Sequence, residues 1–155
     1  MPFVSIVMPV YNEVPGPGDD SLSVRIHALI ELLRQGDDLL LVDGGSTDHS
    51  WATLQLLAVH PQVTAIQSGK GRAQQMNSGA AQARGEVLLV LHADTALNSE
   101  DWSAFLTKLN ECLWGRVEVR IAGKSAWLPG GAWFMTGGRR VSQKGAGGQA
   151  SCGSG

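Results

Sequence analysis

Apolar residues occur in two alternating patterns along this chain. Short, mostly apolar runs lie at residues 3–10, 39–42, 63–66 and 87–91. They are too short for a membrane span and lack helical spacing, so they read as strands buried on both faces, as in a parallel sheet. Between them the apolar positions recur with helical period. Leu22, Ile26, Leu29, Ile30 and Leu33 mark one helix, with Asp20 or Ser21 as its cap and Gly36 closing it. Trp51, Leu54 and Leu57 mark a second, beginning near His49 and ending near His60-Pro61. A third, over 73–83, has the small residues Ala73, Ala80 and Ala81 on its expected buried side, with Asn77 on the same face. A fourth, over 99–113, turns Trp102, Phe105, Leu106, Leu109 and Leu113 to the core. Residues 116–121 then alternate strictly, Arg-Val-Glu-Val-Arg-Ile, which predicts an edge or antiparallel strand with one wet face.

The strand ends carry the chemistry. The run at 87–91 stops at His92-Ala93-Asp94, the first at Tyr11-Asn12-Glu13, and the second at Asp43-Gly44-Gly45-Ser46-Thr47-Asp48. In open α/β sheets ligands bind outside the carboxyl ends of the strands. Three strands delivering acidic and amide groups to one edge therefore describe a polar, acidic pocket. Helix capping accounts for Ser46, Thr47 or Asp48, but not for Asp43, which precedes the turn. The loop Gln67-Ser68-Gly69-Lys70-Gly71-Arg72 opens onto the third helix, where backbone N–H groups and a guanidinium suit a phosphate. A solvated charged loop explains that stretch equally well. Gly16 and Gly18 after the first strand make a plain turn, without the third glycine of a dinucleotide fingerprint.

Composition narrows the classes. The 155 residues form one domain with a net charge of −2, which gives no electrostatic case for nucleic acid or an anionic membrane surface. Met1-Pro2-Phe3-Val4-Ser5 lacks the basic start of a signal peptide, and no run reaches transmembrane length, so a cytoplasmic protein is expected. Cys112 and Cys152 have neither metal spacing nor a disulfide framework and read as reduced thiols. From residue 123 glycine dominates, residues 141–155 have almost nothing to bury, and no Asp or Glu follows Glu118.

Carboxylates beside a basic, glycine-lined helix start suit a hard divalent cation bridging a diphosphate. Mg²⁺ takes one or two protein carboxylates and completes its shell with phosphate oxygens and water. Asp94 is the best single ligand. His92 is a second candidate, and imidazole suits Mn²⁺ better than Mg²⁺.

Four segments in order, Ser5-Ile6-Val7-Met8-Pro9-Val10-Tyr11-Asn12-Glu13, Val42-Asp43-Gly44-Gly45-Ser46-Thr47-Asp48, Gly71-Arg72 with Asn77-Ser78-Gly79-Ala80, and Leu91-His92-Ala93-Asp94-Thr95, resemble a family 2 glycosyltransferase. The likeness runs over residues 3–122 and is nearest to the bacterial subgroup associated with radical-SAM and selenium-linked gene clusters. It implies an α/β, GT-A-type (Rossmann-like) fold, a nucleotide-diphosphate sugar donor, a divalent cation (Mg or Mn) and inversion at the anomeric carbon. By resemblance Pro9, Tyr11 and Glu13 line the nucleoside pocket, Asp43 sits in the base-binding turn, Arg72 and Asn77 lie near the donor, and Asp94 holds the metal.

The chain departs from the family pattern in three places. Gly44 replaces the second of paired aspartates in the base-reading turn, and His92 replaces the first aspartate of the D-x-D motif. After Glu118 there is no carboxylate to act as the base that an inverting transfer needs. The sequence therefore divides into a donor-binding half, 1–122, and a glycine-rich segment, 123–155, which carries no visible family motif and is expected to be poorly ordered. A shortened copy, binding donor with little or no transfer and self-associating through a bared sheet face, is the resulting expectation. The alternatives are a nucleotide-binding or interaction module without turnover and, third, a nucleotidyltransferase.

Overall fold

The computed structural model describes residues 2–109, 114–117 and 132–136. Ten elements follow in chain order: β1 Val4–Val10, α1 Ser21–Ile30, β2 Asp38–Asp43, α2 Ser50–Leu57, β3 Val63–Gln67, α3 Arg72–Gln82, β4 Val87–Val90, α4 Ser99–Lys108, β5 Trp114–Val117 and β6 Ala132–Thr136. They build one six-stranded sheet of order β3-β2-β1-β4-β6-β5. The four apolar runs are the four parallel strands β1 to β4. β6 pairs antiparallel with β4, and β5 lies at the edge, antiparallel to β6. The edge strand expected over 116–121 thus exists as 114–117, and residues 118–121 lie outside the described residues. β6 comes from the glycine-rich segment yet takes an internal place in the sheet.

Side-chain alternation along β1 assigns the two layers. Val4, Ile6, Met8 and Val10 join one core with Leu22, Ile26 and Leu29 of α1, Leu54 and Leu57 of α2, and Trp102 and Phe105 of α4. Val7 faces the other way, into a smaller cluster with Leu40, Val42, Ile66 and Val90, against which α3 brings Met76. The chain therefore winds outward from β1 to β3 on one face and returns over the other through α3 to β4. That reversal places a topological switch point between β1 and β4, where open α/β sheets bind ligands.

Proline helps to open it. The Val7 carbonyl accepts the Leu91 N–H at 3.0 Å, so odd-numbered residues of β1 address β4. Pro9 is the next residue on that side and has no N–H to donate. The β1–β4 register ends at Val7 opposite Val90, and the strands part beyond it.

Two helix expectations are corrected. α1 ends at Ile30 rather than near Gly36, because the chain turns through 31–37 and Gly36, at φ 98°, lies under the Phe3 ring. α3 is rotated from its expected phase: its buried residues are Gln75 and Gly79, while Ala73, Asn77, Ala80 and Ala81 are exposed. A helix of small and polar residues has little hydrophobic contrast to set its phase, so close approach decides instead. A Cβ on Gly79 would lie 2.5 Å from Val7 Cγ1 and 3.1 Å from Val42 Cγ2, so only glycine lets the helix sit this low. For the fourth helix, Trp102, Phe105 and Leu109 are buried as expected, whereas Leu113, like Cys112 and Cys152, lies outside the described residues.

Candidate functional site

The loops after β1, β2, β3 and β4 meet at one edge of the sheet, and the first two are sewn together. Asn12, in the left-handed region at φ 51°, accepts the Thr47 N–H on Oδ1 at 2.8 Å and donates its own N–H to Ser46 Oγ at 2.9 Å. Ser50, fully buried at the start of α2, accepts from the N–H groups of Glu13 at 2.9 Å and Val14 at 3.1 Å. Asp48 accepts from Val14 N–H on one oxygen and Ser50 N–H on the other, both at 2.9 Å. Burial alone would raise the Asp48 pKa, but its hydrogen bonds to Ser50 and Val14 outweigh that and hold it below its ordinary value. Ser46 and Asp48 were expected to cap α2. They mainly anchor the neighbouring loop, and His49, at the cap position, makes no side-chain cap bond.

Asp43 serves its own turn. Its carboxylate accepts from Gly45 N–H at 3.0 Å and Ser46 N–H at 3.1 Å, and the residue is fully buried. Its carbonyl takes the Ser68 N–H at 2.8 Å, which ties in the loop after β3. Asp43 therefore shapes the turn from beneath, and the role that capping left unexplained is an internal one.

The same edge gathers the charged groups. Glu13 is half-buried. Its pKa is raised first by that burial, then by the negative charge of Asp94, against a lowering by Arg25. Arg72, at the start of α3, is pulled down by burial and supported by Asp94. Asp94 is thus felt by Glu13 on one side and by Arg72 on the other. The Arg72 guanidinium donates to His92 Nε2, so that nitrogen is the acceptor and the ring proton sits on Nδ1. Burial first, then Arg72, lowers the His92 pKa, and Asp94 partly restores it. Arg25, from α1, donates Nε–H to the Ala93 carbonyl at 2.8 Å and so fixes the backbone next to Asp94. Beyond the β1 end of the edge, Lys70 Nζ lies 4.9 Å from the centre of the Tyr11 ring, which is exposed. The α3 start, behind Gly71 at φ 130°, carries no side-chain cap, so its first N–H groups stay open to an anion.

Of the sequence-predicted residues, Tyr11, Glu13, Arg72, His92 and Asp94 come together at this edge, with Asp43 under it. Pro9 stands half-buried on the α3 face of β1, opposite Val42. Asn77 is exposed on α3, off the side that meets the sheet. Sequence reasoning missed Arg25, Ser50 and Gln75. Gln75 is 4% exposed and donates to the strand-end carbonyls of both Val10 and Val42, each at 2.8 Å. Its only sequence signal is its spacing of four from Gly79.

The donor set suits a hard cation. Among the described residues no three or more His, Cys, Asp or Glu form a ready-made metal centre. What stands there is the exposed Asp94 carboxylate with the Glu13 carboxyl repelled by it, an oxygen pair that a cation would relieve. His92 Nε2 is engaged by Arg72, which favours oxygen ligands over imidazole.

A sequence model of glycosyl transferase family 2 matches residues 5–150. The match runs into the glycine-rich segment, so the likeness is not confined to residues 3–122. Curated relatives include an undecaprenyl-phosphate 4-deoxy-4-formamido-L-arabinose transferase of Yersinia enterocolitica, 34% identical over 59% of this chain and 28% of its own length. The Enterobacter enzyme of the same name is 31% identical over 70% of this chain and 34% of its own. The chain thus spans about a third of the length of the curated relatives it matches. Among solved structures, a Pyrobaculum calidifontis mannosyltransferase in complex with GDP-Man and Mn²⁺ superposes with a TM-score of 0.62 at 21% identity, over 74% of this chain and 34% of that one. S. aureus TarS 1-349 in complex with UDP-GlcNAc gives 0.57 at 19% identity, over 79% and 37%. These likenesses establish the GT-A fold.

Proposed function

Because the chain belongs to glycosyl transferase family 2, we propose that its β1–β4 edge binds a nucleotide-diphosphate sugar together with Mg²⁺ or Mn²⁺. The observation that carries the reading is the placement of charge at the switch point: Glu13 after β1, Asp94 after β4 on a loop that Arg25 pins, and Arg72 at the α3 start against His92.

The nucleoside lies between the Tyr11 loop and the Gly44-Gly45 turn, whose shape Asp43 holds. The diphosphate faces Arg72 and the open N–H groups of α3, which supply positive charge without moving. Asp94, with Glu13 behind it, holds the cation, and Arg25 keeps the Asp94 loop in place through the Ala93 carbonyl. When bound, the cation neutralises charge that develops on the departing diphosphate. His92, neutral at Nε2, orients the Arg72 guanidinium. Inversion requires a base within hydrogen-bond reach of the acceptor hydroxyl. These 155 residues supply the donor-binding edge, and neither the base nor the acceptor is assigned within them. Among the described residues no helix is long and apolar enough to cross a membrane.

The test is calorimetric titration with UDP- and GDP-sugars in Mn²⁺, alongside an assay for nucleoside diphosphate release. The reading expects metal-dependent binding that Asp94→Asn abolishes. Binding unaffected by both metal removal and Asp94→Asn would refute it. Diphosphate release that needs neither the metal nor Asp94 would refute it as well.

A further inference from the structure

Among the described residues, Gln75 is the one buried polar side chain that reaches the site from the α3 face. Both N–H bonds of its amide are spent, one on the carbonyl ending β1 and one on the carbonyl of Val42, each at 2.8 Å. The Val10 carbonyl also accepts the Gly44 N–H at 3.0 Å. Gly44 lies flat on the same amide: a Cβ there would stand 2.8 Å from Cδ and 2.9 Å from both Nε2 and Oε1. Gln75 and Gly44 are therefore a matched pair, and no side chain fits at 44 while the glutamine amide occupies that space.

These contacts control more than packing. Val10 leads directly into Tyr11-Asn12-Glu13, and Val42 into Asp43-Gly44-Gly45. Gln75 sits one turn after Arg72, on the helix whose preceding loop places Lys70 over Tyr11. One amide thus ties the paired ends of β1 and β2 to α3 and sets the height of the helix against both. The hydrophobic contacts of α3 are few, Met76 and Ala83 beside Gly79, so this hydrogen-bonded bracket is what registers the helix on the sheet. We infer that Gln75 is a positioning residue for the nucleoside subsite. With Gly44 it holds the Tyr11 loop and the Gly44-Gly45 turn at the separation a nucleoside needs. This rests on the donor-site reading above.

The role differs from plain structural support in what it should affect. The bracket joins the strand ends on the nucleoside side, whereas Arg72 and Asp94 meet the diphosphate. Gln75→Met keeps length and volume but removes both donors, leaving the Val42 and Val10 carbonyls with their sheet partners alone, the Gly44 N–H in the case of Val10. The expected result is that UDP and GDP affinity in Mn²⁺ falls about tenfold while inorganic pyrophosphate affinity changes less than about twofold. Gly44→Ala should reproduce that selective loss in the wild-type background. In a Gln75→Ala background, where the space is vacant, Gly44→Ala should cost less than about twofold further. The overturning results are also distinct. If the unsubstituted chain binds UDP and Gln75→Met binds it equally, or if UDP and pyrophosphate weaken in parallel, the positioning role fails and the donor-site reading stands. If the unsubstituted chain binds neither nucleotide nor pyrophosphate, both fail. Should Gln75→Met not fold, Gly44→Ala in the wild-type background decides alone, since equal losses for UDP and pyrophosphate, or no loss of UDP affinity, would overturn the positioning role.

Discussion

Ser50→Ala probes the join between the β1 and β2 loops. Ser50 Oγ accepts two N–H groups, from Glu13 at 2.9 Å and Val14 at 3.1 Å. Val14 N–H keeps a second acceptor, Asp48 Oδ2 at 2.9 Å, so the substitution orphans mainly the Glu13 amide. A buried donor without a partner costs about 1–3 kcal/mol, and partial access of water to the half-buried Glu13 favours the lower half, about 1–2 kcal/mol. For a domain of this size that lowers Tm by about 2–8 °C. Adding Asp48→Ala removes the remaining acceptor of Val14 N–H, so the double variant should lose more than the sum of the singles, by at least about 0.5 kcal/mol. Urea melts of the two singles, the double and an exposed control, Ser103→Ala, make the comparison; the control should stay within about 0.5 kcal/mol. A Ser50→Ala variant as stable as the control, or strict additivity with Asp48→Ala, would refute the network as described.

Other substitutions test separate links. Arg72→Ala removes a positive neighbour and some burial from His92, so the imidazole pKa should rise toward 6.5, read from the ring-proton shifts; a fall would contradict the contact. The folded-state pKa of Asp48 is lowered, so its contribution to stability is full above the ordinary value of 3.8 and is lost as pH falls through the folded value. The stability gap between the wild type and Asp48→Asn should therefore narrow as melts are taken from pH 6 down to about pH 3; a gap that widens would contradict it. Gly79→Ala gains about 1 kcal/mol of helix propensity. It also drives a methyl against Val7 at 2.5 Å, an overpacking cost of about 1–3 kcal/mol. A net loss near 1 kcal/mol is expected, and a more stable variant would show that α3 does not ride on Gly79.

The parallel sheet was legible because its strands are near-continuous apolar runs, a pattern that burial on both faces imposes. Their acidic ends were legible because the chain changes character abruptly at Tyr11, Asp43 and His92. What stayed hidden depended on contacts between distant residues. Ser50 and Asp48 look like local caps, yet their partners Glu13 and Val14 lie 34 to 37 positions away. Gln75 reads as a surface residue of a polar helix until the two carbonyls that it bridges are seen. The phase of α3 misled for a related reason: the small residues Ala73, Ala80 and Ala81 were expected against the sheet, whereas the sheet selected the position without any side chain, Gly79. Asp43 stood out because capping left it unexplained, and the turn its carboxylate holds together is its own.

Mn²⁺ itself offers the most direct measurement of the central claim, that Glu13, Arg72 and Asp94 surround one donor cleft. Amide resonances would be followed as Mn²⁺ is added in the presence of UDP. Paramagnetic broadening should reach Glu13, Gly45, Arg72, His92 and Asp94 together, and should spare Asp37 and Arg84 at the opposite ends of the strands. Broadening centred on Asp37 or Arg84, or confined to Asp94 with Glu13 and Arg72 untouched, would contradict the account.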